Sequence, residues 1–234
     1  MVIDTTVVLV HGAFHGAWCW SKVVDGLTAQ GFVAIAVDLP RFDESCETSL
    51  GLQKDAEAVR EVLRKCSGRV VLCGHSYGGA VITEAVTPET PASHLVYLAA
   101  VVPDIGEGLL DCIPNLSEAP IVRAMIPGEG DSLRIDPTKA AGIFYNDCDP
   151  ELAAWAVSQL GPQAARCLME RASRAAWRET ESTYILCEDD RALNEQIQER
   201  MAKRCTRVTR WSTSHSPMLS RPELLVELLA ELAA

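Results

Sequence analysis

Arg69-Val70-Val71-Leu72-Cys73-Gly74-His75-Ser76-Tyr77-Gly78-Gly79-Ala80-Val81-Ile82 is the stretch whose reading decides the fold. An apolar, β-branched run stops at Gly74, a serine stands two residues on between glycines, and a small-residue helical pattern follows. That order spells strand, sharp turn, helix. The spacing Gly74-x-Ser76-x-Gly78 is that of a nucleophile elbow, in which the turn strains the serine and the glycines keep side chains out of the strand–helix contact. Three fixed positions of such common residues match by chance in roughly one chain in ten of this length, so the rest of the chain has to supply the context.

Working back to the N-terminus, Thr5-Thr6-Val7-Val8-Leu9-Val10 is an apolar run suited to a strand buried on both faces. It ends in the glycine loop His11-Gly12-Ala13-Phe14-His15-Gly16. Trp20, Val23, Val24 and Leu27 have helical spacing, closed by Gly31; Phe32 to Leu39 reads as the second strand, ended by Pro40. Arg41 to Gly51 is polar and irregular and is expected to be a loop. Gln53 to Cys66 is a helix with acids early and bases late, the order the helix dipole favours. After the elbow helix, Ser93 to Val102 reads as a fourth buried strand closed by Pro103. The alternation of strand and crossover-length helix implies a parallel sheet covered on both faces.

From Asp104 to about Trp177 no strand-like run occurs, prolines punctuate the chain, and the clearest signal is helical. There Asp149 is placed to cap a helix whose first turn holds Pro150 and whose apolar positions are Leu152, Trp155, Ala156 and Leu160. Thr183 to Cys187 resumes the strand pattern, Asn194 to Lys203 is helical, Thr206 to Trp211 is a sixth strand, and Pro222 to Leu232 is an apolar terminal helix. The expected architecture is α/β: a doubly wound, six-stranded, mostly parallel sheet with a helical cap between the fourth and fifth strands. The core is residues 1–103 and 178–234, and the cap is 104–177.

Composition narrows the function. With 234 residues, 48% hydrophobic, and 21 Lys+Arg against 32 Asp+Glu, the net charge of −11 disfavours a nucleic-acid or anionic-membrane surface. No run of 18 or more apolar residues is present, and Met1 to Thr6 lacks a signal-peptide pattern, so cytoplasmic residence is expected. Nine cysteines with no C-x-x-C pair read as buried thiols rather than a disulfide frame or a zinc site. No cofactor and no metal ligand set are expected; the expected partner is a small molecule, and a homodimer stays open.

In a doubly wound sheet the site lies beyond the carboxyl ends of the strands, where strand order reverses. If the second strand lies outside the first, strands one and three are neighbours there, and their ends carry the glycine loop and Ser76. Acyl transfer by a serine needs two N–H donors for the oxyanion: the elbow supplies Tyr77, and Ala13 is the choice from the loop. Histidine has the pKa to act as base. His11, His15 and His75 suit packing or hydrogen bonding, His94 begins a strand, and His215, in Trp211-Ser212-Thr213-Ser214-His215-Ser216-Pro217, follows the sixth strand and is the candidate base. For the acid, Glu188-Asp189-Asp190 follows the fifth strand; Asp190 leads, with Asp189 and then Asp104 behind it. Phe14, Tyr77, Met125, Phe144, Tyr145 and Trp155 are candidate pocket walls, with core packing the competing role for each of the last four.

The chain resembles the α/β-hydrolase superfamily over nearly its whole length. It is most similar to the branch of plant methyl esterases of the salicylate-binding type, hydroxynitrile lyases and small bacterial esterases. Val8 to Trp20, Gly74 to Gly79, Tyr184 to Arg191 and the His215 segment carry the likeness. The resemblance implies Asp190, just before Arg191, as the acid, Ala13 and Tyr77 as oxyanion donors, and a serine carboxylesterase acting on small esters. The alternatives are a lyase using the same triad, or a non-catalytic ligand-binding protein on this scaffold. Ser216 and Gly12 stand where the lyases carry a lysine and a polar residue, which points towards hydrolysis. Arg41-Phe42-Asp43 departs from the family's loop after strand two, and Asn194 replaces its proline after the acid.

Overall fold

Long apolar runs become strands here because both of their faces can be covered, and the amphipathic stretches between them supply the cover. A computed structural model describes residues 5–40, 50–113 and 119–234. The loop expected over Arg41–Gly51 lies outside the described residues except for its last two positions, as do Pro114, Cys46 and the N-terminal Met1–Asp4.

The chain runs β1 (Thr5–Val10), α1 (Ser21–Ala29), β2 (Val33–Val37), α2 (Leu52–Leu63), β3 (Arg69–His75), α3 (Gly78–Ala85), β4 (His94–Leu98). It then leaves the sheet through α4 (Pro120–Ala124), β5 (Met125–Pro127), β6 (Ser132–Ile135), α5 (Pro137–Phe144), α6 (Pro150–Gln159), β7 (Gln163–Ala164) and α7 (Ala165–Met169). It returns through β8 (Ser182–Cys187), α8 (Glu195–Ala202), β9 (Arg207–Trp211), α9 (Pro217–Ser220) and α10 (Pro222–Ala233).

The main sheet has the order β2-β1-β3-β4-β8-β9, and every neighbouring pair is parallel. The chain moves outward from β1 to β2, then crosses back to β3 and continues the other way. With right-handed crossovers, that reversal puts α1 and α2 on opposite faces. α1 accordingly packs with α10, and α2 packs with α3. All residues of β1, β4 and β8 are buried, as are those of β3 after Arg69, while the edge strands β2 and β9 are largely half-exposed or exposed.

Caps account for several helix starts. Asp149 accepts from the Leu152 N–H at 3.0 Å and opens α6, as its sequence predicts. Asn194 accepts from the Ile197 N–H at 3.0 Å and opens α8, which gives the departure from proline a local function. Two expectations need correction. The excursion between β4 and β8 is not purely helical: β5, β6 and β7 form a three-stranded antiparallel sheet. Strands of two to four residues are too short to leave a period-two pattern. In α6 the buried positions are Ala153 and Ala156, and Trp155 is 43% exposed. Among the described residues no helix is long and apolar enough to cross a membrane.

The elbow fixes how closely α3 approaches the sheet. A Cβ on Gly78 would lie 2.6 Å from the Val10 carbonyl oxygen and 2.7 Å from that of His11, and backbone oxygens cannot swing aside as side chains do. Gly78→Ala is therefore expected to destabilise the fold by about 3 kcal/mol, the upper end of overpacking costs. Urea denaturation measures this, and an unchanged midpoint would mean that β1 and α3 can separate freely.

Candidate active site

Ser76 sits in left-handed backbone, φ 53°, which a residue with a Cβ adopts only when its surroundings force it to. The forcing contacts are hydrogen bonds: its N–H donates to the Leu98 carbonyl at 3.1 Å, and its carbonyl accepts from Gly79 and Val101 N–H, each at 3.1 Å. Phe14 (φ 66°) and Ala99 (φ 42°) are the other non-glycine residues with positive φ among those described. They follow β1 and β4 at the same end of the sheet, so local strain gathers around the serine.

The loop after β1 lies against Ser76. A Cβ on Gly12 would come within 2.9 Å of the Ser76 Cβ, so only glycine permits this approach. His11 Nδ1–H donates to the Gly12 carbonyl at 2.8 Å while its Nε2 accepts from the Leu39 N–H at 3.0 Å. His15 Nδ1–H donates to the Ala13 carbonyl at 2.9 Å, and its Nε2 accepts from the Tyr145 hydroxyl at 2.8 Å. Each neutral ring has one donor and one acceptor nitrogen, and both are used.

His215 lies wholly buried after β9. Its Nδ1 meets Asp190 Oδ2 at 2.7 Å. Asp190 Oδ1 accepts from the N–H groups of Ala192 (2.7 Å) and Leu193 (3.0 Å), and Oδ2 also accepts from Gln198 Nε2 at 3.3 Å. The carboxylate is thus fixed from the loop and from α8. Asp189 is exposed, and Asp104 pairs with Arg178 at 2.5 Å instead, so of the three candidate acids Asp190 alone is shown bonded to His215. His215 Nε2 is buried and has no hydrogen-bond partner among the described residues.

His75, next to the serine, ties the two halves together. Its Nε2–H donates to the His215 carbonyl at 2.8 Å, and the two ring centroids are 4.6 Å apart. Burial, reinforced by His215 and His15, holds its pKa well below the ordinary histidine range, so it stays neutral.

Ala13, Phe14, Ser76 and Tyr77 line a cavity of about 20 Å³, walled otherwise by Val101, Leu109, Ile113, Ile121, Met125, Leu168 and Leu193. Larger clefts of about 500 Å³ and 430 Å³ lie elsewhere, one against residues 173–180 and one beside Asp189, and neither reaches Ser76. Phe14 and Met125 thus stand where expected. Phe144 instead flanks His215, with ring centroids 5.6 Å apart, and Tyr145 is spent on His15. Trp155 stands edge-on to Trp18 at 5.3 Å, and the structure does not bring it to the cavity. Leu109, Ile113, Ile121 and Leu168 come from a stretch with no sustained periodicity, so nothing in the sequence marked them as walls.

Asp55 went unremarked in the sequence. It is completely buried on α2, and its Oδ2 accepts from the Tyr77 hydroxyl at 2.7 Å. The signal was its position: Leu52, Asp55, Ala56, Val59 and Leu63 share the buried stripe of the helix. Burial raises its pKa from about 3.8 to about 6, against the lowering effect of the Tyr77 hydrogen bond. The folded protein therefore holds this proton at pH values where the unfolded chain has released it. Stability falls as pH rises from about 4 to about 6 and stays reduced above, by about 3 kcal/mol at 1.36 kcal/mol per pH unit. Relative to wild type, Asp55→Asn is expected to gain about that much between pH 4 and pH 7 in denaturant titrations. A stability difference that does not move with pH would contradict the burial effect.

The model of the alpha/beta hydrolase family matches residues 7–228. Alpha/beta hydrolase nvfD of Aspergillus novofumigatus is 32% identical over 247 residues, covering 99% of this chain and 98% of that protein. Methylesterase 2 of Arabidopsis thaliana is 27% identical over 254 residues, covering 97% and 95%. Among solved structures, a pyrethroid hydrolase from Sphingobium faniae JZ-2 superposes with a TM-score of 0.85 at 26% identity, covering 98% of this chain and 97% of that one. Fold, sheet order and these likenesses agree: the chain belongs to the alpha/beta hydrolase family, in the branch it shares with the plant methylesterases.

Proposed function

We propose that the protein is a serine carboxylesterase that hydrolyses neutral, hydrophobic esters through an acyl-enzyme. Ester hydrolysis is supported by the family and by relatives named methylesterase. The observation that carries the mechanism is a strained Ser76 lining the cavity after β3, together with a buried His215 after β9 whose Nδ1 is held by Asp190 and whose Nε2 has no partner among the described residues.

Ser76 Oγ attacks the ester carbonyl while His215 Nε2 takes its proton, and Asp190 stabilises the resulting imidazolium. The N–H groups of Ala13 and Tyr77 bind the oxyanion. His215 then gives the proton to the departing alkoxide, and water attacks the acyl-enzyme by the same route. Residues 104–177 act as the cap. A cavity of about 20 Å³ holds about one water molecule, so the ester enters only as Leu109, Ile113, Ile121, Met125 and Leu168 move apart.

The walls carry no charged group among the described residues, which favours neutral acyl groups: burying an unpaired carboxylate there is costly. The lack of a lysine in that wall, with Ser216 after His215, supports hydrolysis over carbon–carbon lysis.

Purified Ser76→Ala is expected to lose roughly 10⁴-fold or more in kcat towards p-nitrophenyl acetate. Retained turnover would overturn the assignment. In the wild type, kcat/KM for p-nitrophenyl butyrate should exceed that for the corresponding succinate half-ester by at least about 100-fold. Equal rates would show that the apolar wall does not select the acyl group.

A further inference from the structure

We infer that Gln163 and Asp55 are positioning residues, each bracing one arm of the oxyanion hole from behind. The inference rests on Ala13 and Tyr77 being the donors of that hole.

The first arm is the loop after β1. Phe14, directly after Ala13, is held at positive φ, and both of its backbone groups are satisfied by the inserted segment. Its N–H donates to Gln163 Oε1 at 3.3 Å, and its carbonyl accepts from the Gly161 N–H at 2.8 Å. Gln163 is 1% exposed, and its own backbone is pinned in β7 opposite Leu133 of β6. A loop in left-handed backbone relaxes unless its peptide groups are held, and the Gly12–Ala13 peptide that carries the Ala13 N–H is hinged at Ala13 to the Ala13–Phe14 peptide whose N–H Gln163 holds. Gln163 therefore sets the direction of that N–H without touching substrate.

The second arm is Tyr77. Its side chain, 1% exposed, ends on Asp55 Oδ2 at 2.7 Å. Elbows need only the backbone N–H of this position, so a buried phenol anchored to a buried carboxyl is an additional device. It fixes the rotation of the residue that donates the N–H. The Cys167 thiol of α7 interacts electrostatically with Gln163, Tyr77 and Asp55 and so lies between the two arms. α2, the elbow and the inserted segment thus meet in one buried polar cluster. Donors must be aimed at the transition state before reaction to be effective, and a cluster of this kind supplies that aim.

Removing an oxyanion donor costs roughly 10²–10³ in kcat, so loosening one through a neighbour is expected to cost about 10-fold. Gln163→Met, which keeps the size and removes the acceptor, and Tyr77→Phe, which keeps the N–H and releases Asp55, are compared with wild type. The measurements are p-nitrophenyl butyrate turnover and inhibition by an alkyl trifluoromethyl ketone, which forms an oxyanion on the serine. Each variant should lose about 10-fold in kcat and in ketone affinity with KM within about twofold. Gln163→Glu, which restores an acceptor oxygen, should recover part of the loss. If both folded variants keep wild-type kcat and ketone affinity, or lose kcat without losing ketone affinity, the bracing role is overturned. If Gln163→Met does not fold, Tyr77→Phe decides by the same criteria. If the ketone fails to inhibit wild type while Ser76→Ala stays active, the catalytic reading itself falls and the bracing role with it.

Discussion

The positive φ of Ser76 is the constraint on which the remainder of this structure turns. A side-chain-bearing residue pays to adopt that conformation, of order 1–3 kcal/mol, and here three hydrogen bonds and a glycine-tight helix contact hold it there. Those partners come from β4, from the turn after it and from the first turn of α3, so the strained geometry exists only once the central strands have paired. The sheet is thus a template for one backbone angle, and the place of Ser76 on the cavity wall follows from that angle.

At the carboxyl end of the sheet, buried side chains hold the loops through hydrogen bonds. Buried polar groups cost free energy unless they are hydrogen-bonded, so each one constrains its neighbours. His11 and His15 hold the loop after β1, His75 holds the His215 backbone, and Gln198 holds Asp190. His215 Nε2 has no partner among the described residues, a property it shares with His75 Nδ1, Trp18 Nε1 and Trp20 Nε1. Asp55 Oδ1 and Gln163 Nε2 lack partners among the described residues although both side chains are buried. Burial of that carboxyl is tolerated in a region where rigidity is useful.

The inserted segment carries two tasks in one piece of chain. Its apolar side chains close the cavity over Ser76, and its Gly161–Gln163 turn grips the backbone of Phe14. The segment proposed to admit substrate is therefore hydrogen-bonded to the loop proposed to stabilise the transition state. That coupling links specificity to catalysis through backbone hydrogen bonds rather than through direct contact with the serine.

The alternation of buried strands and amphipathic helices, the elbow at Gly74 to Gly79, the placement of His215 after the last strand and the run of acids after β8 are all local in sequence. A strand buried on both faces must be continuously apolar, and a sharp turn must be glycine-rich, so the chain alone determined the fold class and a short list of candidate residues, while the order of the strands is decided by their pairing. Spacing alone left Asp190 and Asp189 nearly even, because adjacent residues in a loop differ only in which way the turn points them; the family resemblance favoured Asp190, and the structure shows Asp190 bonded to His215 and Asp189 exposed. The chain alone did not mark the cavity walls, where Leu109, Ile113, Ile121 and Leu168 converge from a stretch without a repeat, or distinguish them from Trp155 on the outer face of α6. The meeting of Asp55, Tyr77, Cys167 and Gln163 belongs wholly to the tertiary structure, since residues more than a hundred positions apart become neighbours only when the inserted segment folds back over the sheet.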